Sequence, residues 1–208
     1  MMRLFIVLGL CLLSAIGISQ RSFEAGLLAG GLASQISGDR LAGFNKAGFQ
    51  VGGFIQIPLS DRISGNIELY YITKGSQKPT SRDNPNNENI FGYRFNYLEV
   101  PVLVNYAAGD LEFVAGPYFS VLTKSAYVSN GIEFEIPVGP DVPQSNSDIG
   151  FISGVGYNLS EKLHVHLRYS QSILPIVDFN DNVPTQALDG GMYHSALHLM
   201  LRYHFTSN

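Results

Sequence analysis

The chain has 208 residues, of which 14% are charged, 45% hydrophobic and 12% aromatic, with 22 glycines, no tryptophan and a formal net charge of −4. That apolar content can bury a core, which excludes a disordered chain. A net negative charge with no Lys/Arg stripe excludes a nucleic-acid binder, and beyond the N-terminus no run of ~18 apolar residues supplies a spanning helix.

Met1-Met2-Arg3 opens the chain with a positive charge, and Leu4 to Ile18 follows as an apolar stretch. Small residues at Gly17 and Ser19 suit a signal peptidase, so residues 1–19 read as a signal peptide and 20–208 as the exported domain. Cys11, the only cysteine, lies inside that leader behind Leu10, which does not match a lipidation site. The exported part then carries no thiol and no disulfide.

From Phe23 onward the pattern has period two. Eight segments carry it: 23–35, 46–58, 62–75, 93–106, 110–124, 148–158, 162–172 and 194–205. In the third, Ile63, Ile67, Leu69 and Tyr71 alternate with Asn66, Glu68, Tyr70 and Lys74. In the last, Leu197, Leu199, Leu201 and Tyr203 alternate with His198, Met200, Arg202 and His204. Most segments reach the ~9–11 residues that a tilted strand needs to cross a bilayer.

The connections alternate in length. Leu59-Ser60-Asp61, Ala107-Ala108-Gly109 and Leu159-Ser160-Glu161 are tight, whereas 36–45, 76–92, 125–147 and 173–193 are long and rich in Pro, Asn, Asp and Gly. Such sorting is a property of transmembrane barrels, with short periplasmic turns and long extracellular loops. The expected fold is therefore all-β, an eight-stranded antiparallel transmembrane β-barrel in the outer membrane. Leu59-Ser60-Asp61-Arg62-Ile63 is echoed by Leu159-Ser160-Glu161-Lys162-Leu163 at two of the tight turns. Tyr106, Tyr157, Tyr203 and Phe205 at one end, and Tyr71 and Phe95 at the other, read as aromatic girdles. Pro101 and Pro117 fall inside strands of a sheet without edges, which calls for bulges or shorter strands there.

The inward face holds the polar chemistry. Glu68, Glu99, His164, His166, Arg168, His198, Arg202 and His204 are expected to form a polar network in the lumen, with Lys74 and Glu112 on the same face. Buried charges need partners, and eight strands enclose only enough room for side chains. An alternative use of the histidines is a metal site made by His164, His166 and His198. Catalysis has no support in motif: no Gly-x-Ser-x-Gly elbow, phosphate loop or His-Glu-x-x-His occurs. His194 and Ser195 face opposite sides of one strand, and His166 and Ser170 lie too far apart along another. No catalytic residue, cofactor or metal is expected.

The stretches Glu68-Leu69-Tyr70-Tyr71 with Lys74-Gly75, Tyr97-Leu98-Glu99-Val100-Pro101-Val102-Leu103, Ala115-Gly116-Pro117-Tyr118 and Asp148-Ile149-Gly150 leading to Gly154-Val155-Gly156-Tyr157 resemble the PorT-like outer-membrane β-barrel family of Bacteroidetes-type bacteria. The resemblance covers nearly the whole exported part. It implies a small barrel, treats both strand prolines as family features, and implies no shared biochemical activity.

The function expected is a structural or interaction role in the envelope. Its partners are outer-membrane lipid, the barrel insertion machinery during biogenesis, and an extracellular or envelope protein met by the long loops, which are where recognition sits on rigid scaffolds. Two alternatives belong to other classes: a lipid A-modifying enzyme, and a soluble periplasmic barrel that binds a small ligand.

Overall fold

The computed structural model describes residues 23–39, 41, 43–78, 91–129, 132–136, 145–178 and 191–205. The signal peptide expected over 1–19 lies outside them, as do the tips of three long loops, 79–90, 137–144 and 179–190.

Ten strands follow in chain order: β1 (Glu24–Ser37), β2 (Lys46–Pro58), β3 (Ile63–Gln77), β4 (Phe91–Ala108), β5 (Leu111–Ser129), β6 (Ile132–Ile136), β7 (Ser147–Asn158), β8 (Leu163–Ser172), β9 (Val177–Asp178) and β10 (Gly191–His204). Eight of them pair antiparallel in the order β1-β2-β3-β4-β5-β7-β8-β10, and β10 returns to β1 from Gly26↔His204 to Ser37↔Tyr193. The sheet is thus a closed eight-stranded barrel without edges. The short strands β6 and β9 pair with β5 and β10 at the long-loop end.

Alternation decides which residues face the lumen. Along β10 His198, Met200, Arg202 and His204 are buried while Leu197, Leu199, Leu201 and Tyr203 are exposed. The glycine-rich β1 obeys the same phase, with Leu28, Leu32 and Ile36 inward. Gly26 is required there: a Cβ on it would lie 2.5 Å from the Phe54 ring that fills the lumen beside it. Outward, Val51, Ile67, Leu69, Val102, Phe119, Leu167 and Leu199 form an exposed apolar belt. A soluble ligand-binding barrel would turn polar residues outward at these positions, so the belt overturns that alternative. Leu199→Arg, placed mid-strand on the belt, is expected to lower stability by about 2–4 kcal/mol. The urea midpoint in lipid vesicles checks this, with the substitution Glu161→Arg at the exposed tip of a tight turn as a neutral comparison.

The echoed pentapeptides build the same turn twice. Ser60 Oγ accepts from the amides of Ile63 (3.0 Å) and Arg62 (3.4 Å), and Ser160 Oγ from those of Leu163 (3.1 Å) and Lys162 (3.4 Å). The third turn uses Gly109 at φ +67°, a left-handed conformation that glycine adopts without strain.

Two expectations are corrected. The prolines do not sit at bulges. The β3–β4 ladder skips the pairs opposite Val100 and Pro101, and the β4–β5 ladder skips Val102 and Leu103, opposite Pro117 and Gly116, yet the register is unchanged on either side. Each missing N–H is absorbed by a local lapse in pairing. The register shift falls instead between Asn96 and Tyr97, where Thr123 of β5 is the extra residue and its hydroxyl donates to the Asn96 carbonyl (2.9 Å). Second, Phe95 does not belong to a girdle. It shares the phase of Tyr97 and Glu99 and packs inside the barrel. Tyr71 does face outward, 6.0 Å from Phe49, and Tyr106, Tyr157, Tyr203 and Phe205 are exposed at the short-turn end.

Candidate functional site

The lumen is filled. Leu28, Leu32, Ile36, Phe54, Tyr70, Ile72, Phe95, Tyr97 and Leu122 form one apolar cluster, and Leu103, Val114, Tyr118 and Ile152 a second. Between and below them lie two separate charged groups, where the sequence suggested one network.

The lower group centres on Glu68. Its carboxylate accepts two bonds from Arg168, at 2.7 and 2.9 Å, and one from the Asn66 amide at 2.8 Å. Arg202 stands 3.8 Å from Glu68 and 3.7 Å from Glu112, with its guanidinium 3.9 Å from the centre of the Phe54 ring. The fork of Arg168 suits this bidentate pairing, which Lys could not reproduce. The upper group centres on Glu99, which accepts from Lys74 (2.5 Å), Tyr70 (2.8 Å) and Ser120 (2.7 Å). Lys74 also approaches Asp148 (3.6 Å) and lies 4.4 Å from the centre of the Tyr118 ring. Asp148, Tyr118 and Ser120 are not among the lumen residues expected from the sequence. Parity marks each as inward, but nothing in the sequence shows which charge across the lumen each one meets.

The histidines divide as well. His198 stands apart from the other two members of the trio suggested as a metal site. Its Nε2 meets Ser170 Oγ at 2.8 Å and its Nδ1 meets Gln50 Oε1 at 2.9 Å. A serine, a histidine and an orienting group therefore do line up, using a serine on β8 and a histidine on β10, a cross-strand pairing that reading along single strands misses. The third member is an amide and cannot balance an imidazolium as a carboxylate does. All three residues are buried, and neither the cavity at the short-turn mouth nor the groove on the outer wall reaches them. His164, His166 and His204 instead gather near Glu112 at the short-turn end. A cavity of about 900 Å³ opens there, lined by Glu24, Glu112, His164 and His204. One row of the sheet explains the meeting of Glu112 and His166. Both pair laterally with Gly156 of β7, and only a glycine leaves room for the imidazole, because a Cβ there would lie 2.6 Å from His166 Nε2.

A closed antiparallel barrel with an apolar exterior and a charged, filled interior defines a class, the small integral barrels of bacterial outer membranes. Residues 18–178 match the family model described as outer membrane protein beta-barrel domain. The chain belongs to this family and resides in the outer membrane. Strand β10 lies beyond the match but closes the barrel. No curated protein matches the chain. Among solved structures, Neisserial surface protein A (NspA) is similar at 12% identity, over 88% of this chain and 99% of that one, with a TM-score of 0.56. Ail, the attachment invasion locus protein of Yersinia pestis, is similar at 13% identity, over 88% and 98%, with a TM-score of 0.50. At these identities the likeness concerns the fold. The tight-turn end is accordingly periplasmic and the long-loop end extracellular.

Proposed function

We propose that this barrel is a PorT-like interaction protein of the cell envelope, without a pore or a catalytic centre, and that its binding element is a β-ribbon raised above the membrane. The observation that carries this is the unequal height of the wall. Strands β4 and β5 have 18 and 19 residues and β8 has 10, while a bilayer needs about 9–11. The excess of β4 and β5 lies at the extracellular end, where β6 joins them through Ser125↔Ile136 to Ser129↔Ile132.

This ribbon carries an aromatic group. Tyr127 packs against Phe91 (4.9 Å), Tyr93 (5.8 Å) and Phe134 (6.3 Å), and Phe134 is 53% exposed. On the opposite face of the ribbon Arg94 pairs with Glu133 at 2.7 Å, with Lys124 3.8 Å from the same carboxylate. Aromatic residues are enriched at protein interfaces, and this ribbon presents a group of them on one face and paired charges on the other. The family resemblance in Tyr97–Leu103 and Ala115–Tyr118 supports the PorT-like reading. The filled lumen argues against solute passage, and the enclosed Ser170–His198–Gln50 line argues against lipid A chemistry. Contact with outer-membrane lipid and with the insertion machinery belongs to the same reading.

The test is photocrosslinking in cells from residues 127 and 134, compared with residue 161 at a periplasmic turn. A discrete protein adduct is expected from the ribbon positions, lost on combining Tyr93→Ala with Phe91→Ala while the heat-modifiable gel shift of the folded barrel persists. No adduct from either ribbon position, or an altered lipid A mass spectrum on expression, overturns the reading.

A further inference from the structure

We propose that Glu112, His164 and His166, with His204 as a fourth donor, form a binding site for a divalent transition-metal ion of the zinc class at the periplasmic floor of the lumen. One carboxylate oxygen of Glu112 and one ring nitrogen each of His164 and His166 lie within 4.8 Å of one another. The ring of His204 stands 4.3 Å from that of His164, centre to centre.

The donors are prepared for a cation. Among the described residues, His164 Nδ1 and His204 Nε2 are buried atoms that make no hydrogen bond, and Glu112 Oε2 and His166 Nε2 face each other at 3.1 Å. His166 and His204 are 0% and 1% exposed. Two unpaired imidazole nitrogens are costly to bury beside that contact, and a cation held between the carboxylate and the imidazoles would satisfy them. The orientation of His204 has a further cause. Its Nδ1 faces a Glu24 carboxylate oxygen at 3.1 Å, which keeps the proton on Nδ1 and the lone pair on Nε2. Carboxylate-held histidines of this kind are the usual second layer of a metal centre.

Two contacts oppose the ion, and both can yield. Arg202 lies 3.7 Å from Glu112, but it also faces Glu68 and the Phe54 ring, so Glu112 can turn from it. Arg168 Nη2 lies 3.3 Å from His166 Nδ1. Metal at Nε2 moves the imidazole proton to Nδ1 and opens that long contact, while Arg168 keeps both bonds to Glu68. Donors held about 2.0–2.2 Å from an ion sit closer together than 4.8 Å, and rotation of the half-buried His164 closes the set.

The donor set selects the metal. Three imidazoles and one carboxylate suit zinc and its neighbours and do not suit calcium or magnesium, which take oxygen ligands. The cavity gives the ion a route from the periplasm. Once bound, it would tie β5, β8 and β10 together across the floor of the barrel.

The experiment uses the untagged full chain, purified from outer membranes in detergent and stripped with chelator. Titration with Zn²⁺ is followed by calorimetry and elemental analysis, and titration with Co²⁺ by visible absorption. Equimolar uptake is expected, with the intense visible bands of four-coordinate cobalt. His164→Asn and Glu112→Gln are expected to abolish those bands. Glu24→Gln is expected to weaken binding by about 10–100-fold. Gly156→Ala keeps every donor but crowds His166, and is expected to weaken binding too. Each variant is first checked for the heat-modifiable shift, so that loss of metal is distinguished from loss of fold. Absence of uptake by the folded parent protein overturns the site, and so does uptake that survives His164→Asn or Glu112→Gln unchanged.

Discussion

Glu68→Ala is expected to destabilise the barrel by about 3–5 kcal/mol, the cost of leaving a buried ion pair half made. The carboxylate is fully buried and joins Arg168 through two bonds, with Arg202 at 3.8 Å. Without it, two guanidinium groups face each other in a space from which water is largely excluded, and Glu112 is the anion left within 4 Å of Arg202. Combining Glu68→Met with Arg168→Leu removes both partners and fills the space with apolar atoms. The double variant is expected to recover much of the loss, because a buried pair replaced whole is far less costly than a broken one. Urea midpoints in lipid vesicles, with the slope checked for constancy, measure both. A loss from Glu68→Ala below about 1 kcal/mol, the level of a surface pair, would mean that the bidentate pair does not hold the lumen together.

Wall and lumen differ in how far they can be read from residues alone. The wall is a one-dimensional problem. Alternation assigns each side chain to lipid or lumen, and loop length assigns each end to a compartment, so all eight spanning strands, their order and the three tight turns are legible. Parity itself puts Phe95 in the lumen against its girdle reading, and at Pro101 and Pro117 a backbone lapse stands where bulges or shorter strands are expected. The hairpin of β5 with β6 was missed because 125–147 is rich in turn-forming residues and β6 has only five residues.

The lumen is a two-dimensional problem, because the stagger between strands decides who meets whom. Glu68 meets Arg168 across 100 residues, and His198 meets Gln50 across 148. Parity places them on the same face but at unknown heights. The same reason separates His198 from His164 and His166, which it matched in type and direction. Glu112 and His204 take its place because they share the level of the periplasmic mouth. The signal available in the sequence was Gly156, an inward glycine flanked by Val155 and Tyr157, which marks a place where a neighbouring side chain crosses the strand.

Lys74→Met is expected to cost about as much as the loss of Glu68, about 3–5 kcal/mol, by the opposite imbalance. Lys74 is fully buried and is the cation between Glu99 (2.5 Å) and Asp148 (3.6 Å). Without it both carboxylates stay in the lumen. Glu99 keeps the hydroxyls of Tyr70 and Ser120, and Asp148 keeps that of Tyr118 at 3.0 Å, so hydrogen bonding survives and the charge does not. This makes the source of the loss measurable. Adding Glu99→Gln to Lys74→Met removes one charge, and since Tyr70 and Ser120 hold different carboxylate oxygens, the amide oxygen accepts from one hydroxyl while the amide NH2 donates to the oxygen of the other. The pair is therefore expected to be more stable than Lys74→Met alone, with a coupling energy of about 0.5–3 kcal/mol in a double-mutant cycle. Lys74→Arg is expected to fail as a rescue. The compact ammonium fits between the rings of Tyr118 (4.4 Å) and Tyr97 (5.7 Å), whereas a planar guanidinium needs more room and a different set of acceptors. If Lys74→Met and the double variant were equally unstable, the loss would come from packing around the lysine stem, and the charge pairing assigned to this layer would be wrong.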